Sequence, residues 1–242
     1  MALENEKSRI QLLSLQDWEI RFKQLLTEIM PQDDKAHNIH HLSRVWANAR
    51  RIMQQQNQQA DELVVLAASY FHDVVNLPKN DPQRHLASYQ AAQKTREILQ
   101  LHFTDFPATL YDAVCHAVHA HSFSAGVTPL TLEAKIVQDA DRLESLGAIG
   151  IARVFYVSGA LQRELFDDED PLAKHRQLDD SRWSLDHFQK KLLRLPETMQ
   201  TETGKQLAQQ DVHFLVMFMA KLSAELSGIH GQLDESVMAD YS

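Results

Sequence analysis

Thirteen histidines are many for 242 residues, and they are unevenly placed. His37, His40 and His41 gather in one short stretch, and His72 stands directly before Asp73. His116, His119 and His121 close another segment, and Asp139 and Asp141 flank a single alanine in QDADRLE. The His72-Asp73 pair ends a stretch, residues 63–71, that is apolar nearly all round. An Asp at the inner end of such a helix costs several kcal/mol unless it is paired or metal-bound. Adjacent helical residues lie about 100° apart, so the two cannot share one stripe, yet both can converge on an ion beside the helix end. A further His and a further carboxylate from other helices would complete an N₂O₂ set with room for water. That set suits Mn²⁺, Zn²⁺, Fe²⁺ or Ni²⁺ better than Ca²⁺. The alternative for the same residues is an Asp capped by a neighbouring Arg and a His hydrogen-bonded in the core.

The elements that must position these groups read as helices throughout, because apolar spacing of three and four recurs along the chain. A first helix spans about 10–30 and stops at Pro31; a second begins near Asn38 and carries Leu42, Val45, Trp46, Ala49 and Ile52 on one side. Asp61 is the expected N-cap of a third, 62–75, placed at the centre because it has almost no polar face. Pro78 and Pro82 punctuate the next loop, and helices follow over about 84–101, 107–121, 131–141 and 142–159. The acidic stretch 166–180 reads as a solvated loop, followed by helices over about 182–195 and 203–226 and a frayed tail from Gly228. Trp46, Tyr70, Trp183, Met217 and Met219 read as core. The expected fold is all-α: one domain over 1–242, with a helical core at about 10–160 and a C-terminal helical extension at about 180–228.

Composition bounds the function. Hydrophobic residues at 44% and charged residues at 24% are globular proportions and exclude wholesale disorder. Seven Gly and seven Pro leave too few turns for a rich all-β protein. Cys115 stands alone, which excludes an intrachain disulfide and a Cys₄ zinc site. No apolar run reaches 18 residues, and MALENEKSRIQLL has acids where a signal peptide has bases, so the expectation is a soluble, cytoplasmic protein with no membrane partner. With 33 acids against 24 bases, net charge −9, a nucleic-acid partner is disfavoured, whereas a local basic pocket is not.

AHNIHHLSRV, then YFHDVVNLPKN, then KIVQDADRLESLGAIGIARV, in that order, resembles the HD-domain superfamily of metal-dependent phosphohydrolases. More narrowly the chain is similar to small bacterial stand-alone HD hydrolases, and HFQKKLLRLPETMQTETGKQLA extends the likeness towards the C-terminus. The resemblance implies one divalent ion (Mn, Mg, Co, Ni, Zn or Fe) held by His41, as the His of HxxRV, by His72 and Asp73, and by Asp141 of ADRL. It implies a catalytic role for Asp73 as well, and it casts Asp139 as a supporting acceptor for a ligating His or for Arg44. His37 is a reserve ligand or a substrate contact. Many relatives carry an acidic residue three positions after the doublet Asp; this chain has Asn76. An amide can orient a water but cannot take its proton, so either the ion suffices or Glu144 or Asp139 assists.

Lys79 and Arg84 flank the loop after the doublet, and with Arg142 and His121 they are the expected phosphate contacts; Arg142 could equally pair with Glu133 or Asp139. His187 and Lys191 could close over the same pocket. Thr201, Gly204 and Lys205 do not have the spacing of a phosphate-binding P-loop, and no strand precedes them. The expectation is a metal-dependent phosphohydrolase whose substrate is a small phosphorylated metabolite, a nucleotide by preference and a triphosphate before a monophosphate. Two other readings stay open: a nucleotide-sensing module without turnover, kept alive by Asn76, and a di-iron oxygenase recruiting His102, His116 or His121. A homodimer is compatible with all three.

Overall fold

The computed structural model describes residues 13–30, 38–56, 58–77 and 81–241. Among the described residues there are ten α-helices and three short 3-10 turns, and the only strand-like pairing is an isolated parallel bridge between Glu164 and Trp183. Helix α1 (Leu15–Ile29) starts at a capping box between Ser14 and Asp17. Asn38 caps α2 (Ile39–Gln54), accepting from the N–H groups of His40 and His41, and Asp61 caps α3 (Glu62–Phe71). Then come α4 (Ala87–His102), α5 (Tyr111–Ala120), α6 (Leu132–Leu143, capped by Thr131) and α7 (Gly147–Ala160). Helices α8 (Asp186–Lys190), α9 (Glu202–Leu226, capped by Thr201) and α10 (Glu235–Tyr241) complete the chain.

Helix α3 is the hub. Every residue from Val64 to Phe71 is buried, and the helix packs against α1, α2, α4, α5 and α6. Phe22 of α1 meets Phe71 and Phe103 edge-on, both at 4.9 Å between ring centroids. The core runs on without a break through Phe188 and Leu215 to Val237. Trp46, Tyr70, Trp183 and Met219 are buried as expected, whereas Met217 is exposed.

Four elements differ from expectation. Helix α3 ends at Phe71 rather than near residue 75: His72 donates to Ala68 O, but Val74 donates back to Phe71 O, closing a turn. The break between the helices expected over 131–141 and 142–159 falls later, at 144–146, and Gly147 then takes φ +60, where a Cβ would stand 3.1 Å from Asp211 Oδ1. The predicted helix over 182–195 is mostly lost, because Ser184 and Leu185 donate to Glu164 O and Leu165 O and only Asp186–Lys190 remains α-helical. The tail from Gly228 does not fray: Ser223 donates to Asp234 at 2.6 Å, Val237 is fully buried, and Tyr241 donates to Gln189 at 2.9 Å. The acidic stretch is likewise built. Arg176 grips the buried Asp186 through two bonds of 2.6 and 2.8 Å, and Asp170 accepts from the N–H groups of Lys174 and His175.

Candidate metal centre

Four elements converge at the end of α3. His41 comes from the first turn of α2, His72 and Asp73 from the turn after α3, His121 from the residue after α5, and Asp141 from the last turn of α6. His41 Nε2 lies 3.3 Å from His72 Nε2, 3.5 Å from Asp141 Oδ1 and 3.7 Å from Asp73 Oδ2. His72 Nε2 lies 3.5 Å from Asp73 Oδ2 and 3.7 Å from Asp141 Oδ1. Asp73 turns its other oxygen, Oδ1, towards His121 Nε2 at 3.6 Å.

These spacings fit a bound ion. Donors about 2.1 Å from one ion stand roughly 3.0 to 3.4 Å apart at octahedral to tetrahedral angles, so the cluster is only slightly wider than a coordination shell. The tautomers fit as well. His72 Nδ1 donates to Ser69 O at 2.9 Å and His121 Nδ1 to Val118 O at 2.6 Å, which directs both Nε2 atoms at the carboxylates. His41 Nδ1 faces Glu144 Oε2 at 3.4 Å. Burial opposes charge on His72, but Asp73 and Asp141 overrule it and push the imidazole up to about 9. Burial likewise opposes charge on Asp141, yet His72, His121 and His41 hold its carboxyl well below the usual range. Burial pushes His41 down, against the pull of Glu144. A proton on His72 thus supplies the positive charge that an ion would bring.

Around this cluster, Arg44 Nε donates to Glu144 Oε2 at 2.8 Å, so Glu144 rather than Asp139 joins Arg44 to His41. Asp139 does not support a ligand. Its buried carboxylate accepts from Gln200 N at 2.9 Å, Thr201 N at 2.8 Å and Thr201 Oγ1 at 2.7 Å, which docks the start of α9. Arg84 donates to Asn76 Oδ1 at 3.2 Å and to Leu77 O. Arg142 pairs with neither Glu133 nor Asp139; it donates to Thr198 O and lies 5.5 Å from the Phe123 ring. His116 accepts from Leu130 N and His119 packs on Tyr89, both outside the cluster. His37 and Lys79 lie outside the described residues.

A cleft of about 350 Å³ opens over Asp73, His121 and Asp141, with Arg84, Arg153 and Lys191 in its walls. Arg153 was not singled out from the sequence, although one signal marks it: it is the only charged residue in α7. Its Nη1 stands 3.1 Å from His41 Nδ1.

Comparisons with known proteins bear on the same residues. The HD domain family model matches residues 38–146, the segment that contains all five converging side chains. The uncharacterized protein YpgQ of Bacillus subtilis is 32% identical over 209 residues, covering 84% of this chain and 91% of its own. The crystal structure of YpgQ in complex with ADP superposes with a TM-score of 0.66 at 27% identity, covering 90% of this chain and 99% of that one. An HD-superfamily hydrolase from Bacillus thuringiensis gives 0.67 at 26% identity, covering 88% and 99%. Ordered motifs, helical architecture and full-length relatives agree over the residues that build the cluster, and the chain belongs to the HD-domain hydrolase superfamily.

Proposed function

We propose that this protein is a divalent-metal-dependent phosphohydrolase acting on a small phosphorylated metabolite, with a nucleotide as the favoured substrate. The observation that carries the reading is the convergence of His41, His72, Asp73 and Asp141 on one point at the floor of a cation-lined cleft. An ion bound there supplies Lewis acidity, drawing charge from a phosphoryl oxygen and acidifying water from a pKa of 15.7 towards about 7 to 9. The capture of ADP by the related YpgQ supports a nucleotide.

The chain's own residues have separable tasks in hydrolysis, in which a water oxygen bonds to phosphorus and the bond to the leaving oxygen breaks. His41 presents an unprotonated Nε2 in the tautomer whose Nδ1–H donates to Glu144, and in that tautomer Arg153, 3.1 Å from the same Nδ1, turns from the ring towards the substrate. Asp73 would help to hold the ion from the Oδ2 side that faces His41 and His72, and its Oδ1, 3.6 Å from His121 Nε2, would be the oxygen available for the water proton. That pair takes the place of the acid missing at Asn76, whose carbonyl instead steadies Arg84. Arg84 and Arg153 offset charge on the transferred group, so positioning and electrostatics carry most of the rate.

One ion is favoured over two. The groups His41, His72, Asp73 and His72, His121, Asp141 share His72, whose Nδ1 is committed to Ser69 O and whose Nε2 has a single lone pair. This weighs against a di-iron oxygenase. The test is a panel of nucleoside mono-, di- and triphosphates with Mn²⁺, Mg²⁺, Co²⁺ and Ni²⁺, with metal content measured alongside. Metal-dependent hydrolysis, fastest on triphosphates, is expected. Nucleotide binding without turnover of any member would replace the enzyme with a sensing module, and two irons per chain would restore the oxygenase.

A further inference from the structure

Much of the cleft wall comes from beyond the HD-matching segment, including Arg153, Arg163, His187 and Lys191. Lys191 stands where α8 gives way to a 3-10 turn, at φ −132 and ψ −56. Among the described residues its ammonium has neither an ion pair nor a hydrogen bond; what it meets is the Phe123 ring, with Nζ 5.0 Å from the centroid. Burial pushes its pKa below the ordinary lysine value; Asp141 pulls it back up, and Arg84, Arg142 and Arg153 add to the depression. Arg142 reaches the same ring, and its Nε is buried without a hydrogen-bond partner. Two cations with unused donors therefore meet at Phe123, beside two further arginines. Half-buried cations that make no ion pair are a standing cost to the fold. Such a cost persists where a ligand supplies the missing partner.

We propose that Lys191, with Arg142 beside it, binds a second tetrahedral oxyanion of the substrate, adjacent to the phosphoryl group held at the metal centre. The identity of the ligand rests on the phosphohydrolase reading; the need for an anion rests on the unpaired cations alone. Discrimination among substrates then lies in the C-terminal helices, while the HD segment carries the chemistry common to all of them. This accounts for a pocket wall that reaches beyond residues 38–146, the segment matched by the HD domain model.

The test uses the full chain loaded with Mn²⁺ and calorimetric titration with two probes, AMP and α,β-methylene-ADP, which carry one and two phosphate groups. Lys191→Met is expected to weaken α,β-methylene-ADP by about ten- to a hundredfold, the value of a charge-assisted contact. AMP binding should change by less than about threefold, and Lys191→Arg should keep most of the affinity for the two-phosphate probe. Because a half-buried cation without an ion pair is removed, the ligand-free Lys191→Met protein should melt at least about 2 °C above wild type. A lowered melting temperature would show that Lys191 supports the fold and would overturn the proposal. Equal loss for both probes, or for neither, would overturn it too, as would a fall in Mn²⁺ affinity. Since binding needs no turnover, the hydrolase reading can fail on its own substrate panel while this subsite stands.

Discussion

Replacing Asp139 by Ala should uncouple the docking of α9 from metal binding. The resemblance to HD hydrolases placed this residue in support of the ion, but in the folded chain its carboxylate is spent on Gln200 and Thr201. Ala would orphan three donors: two backbone N–H groups and the Thr201 hydroxyl. Thr201 N is fully buried, Gln200 N can turn to water, and the hydroxyl can rotate. At about 1 to 3 kcal/mol per unsatisfied buried donor, the three give a gross loss of roughly 3 to 9 kcal/mol, and the relief open to Gln200 N and the hydroxyl keeps it in the lower half of that range. Part of this is returned. Burial pushes the Asp139 carboxyl above its ordinary value despite those donors, so the ionised group carries a desolvation cost at neutral pH. With the folded value raised, its contribution is greatest at low pH and declines as pH climbs through that value. A net loss of about 3 kcal/mol remains, which for a chain of this size lowers the melting temperature by about 6 to 12 °C. Gly204→Ala should act in the same direction, since its Cβ would fall 2.4 Å from Asp139 Oδ2. Thermal unfolding followed by circular dichroism measures the first quantity, and Mn²⁺ titration at a temperature where the variant is folded measures the second. Mn²⁺ affinity within about threefold of wild type is expected. A tenfold loss of affinity with an unchanged melting temperature would refute the docking role and return Asp139 to the metal centre.

Metal affinity should rise with pH up to about 9, because the proton that Asp73 and Asp141 hold on His72 must leave before Nε2 can ligate. The same raised value makes His72 stabilise the ion-free protein fully below pH 6.5 and progressively less as pH climbs through about 9; a pH-independent Mn²⁺ affinity, or His72→Ala retaining the ion, would contradict this. Glu144→Gln should cost about 10- to 100-fold in Mn²⁺ affinity by loosening His41, measured by calorimetry, and unchanged affinity would count against Glu144 as the group that orients the ring. Asn76→Ala should reduce turnover by about tenfold or less, with KM rising as Arg84 loses one of its two acceptors; a thousandfold fall in kcat, in the range of a lost general base, would show that Asn76 positions the nucleophile directly.

The helices of the N-terminal half were legible because their signals are local. Asn38, Asp61 and Thr131 cap donors two or three residues ahead, and the apolar stripe of α2 repeats at three and four. His72-Asp73 was legible for a related reason: a charge at the end of the most apolar helix has no neighbouring partner in the chain, so it requires one from elsewhere. The short α8 was not legible, since its fate turned on two hydrogen bonds to residues 164 and 165 that no local pattern announces. Nor was the docked tail, whose Tyr241 finds Gln189 across the fold.

Within the candidate site the same division holds. Residue type and placement marked His72 and Asp73, and the resemblance carried by the ordered motifs added His41 and Asp141 as the groups that could meet an ion; each sits at or just beyond a helix end. Tertiary packing alone decided which atom of each faces inwards, through carbonyls at Ser69 and Val118 and the carboxylate of Glu144. It also separated two acids that look alike in sequence, turning Asp141 towards the cluster and Asp139, two residues away in the same helix, towards α9. Lys191, already a candidate from the sequence to close over the pocket, reaches the cleft from 150 positions beyond His41, and Arg153, which the sequence did not mark as a site residue, from 112. Contacts of that separation leave no periodic trace, because the pairing is set by how whole helices stack and not by the spacing of residues along any one of them.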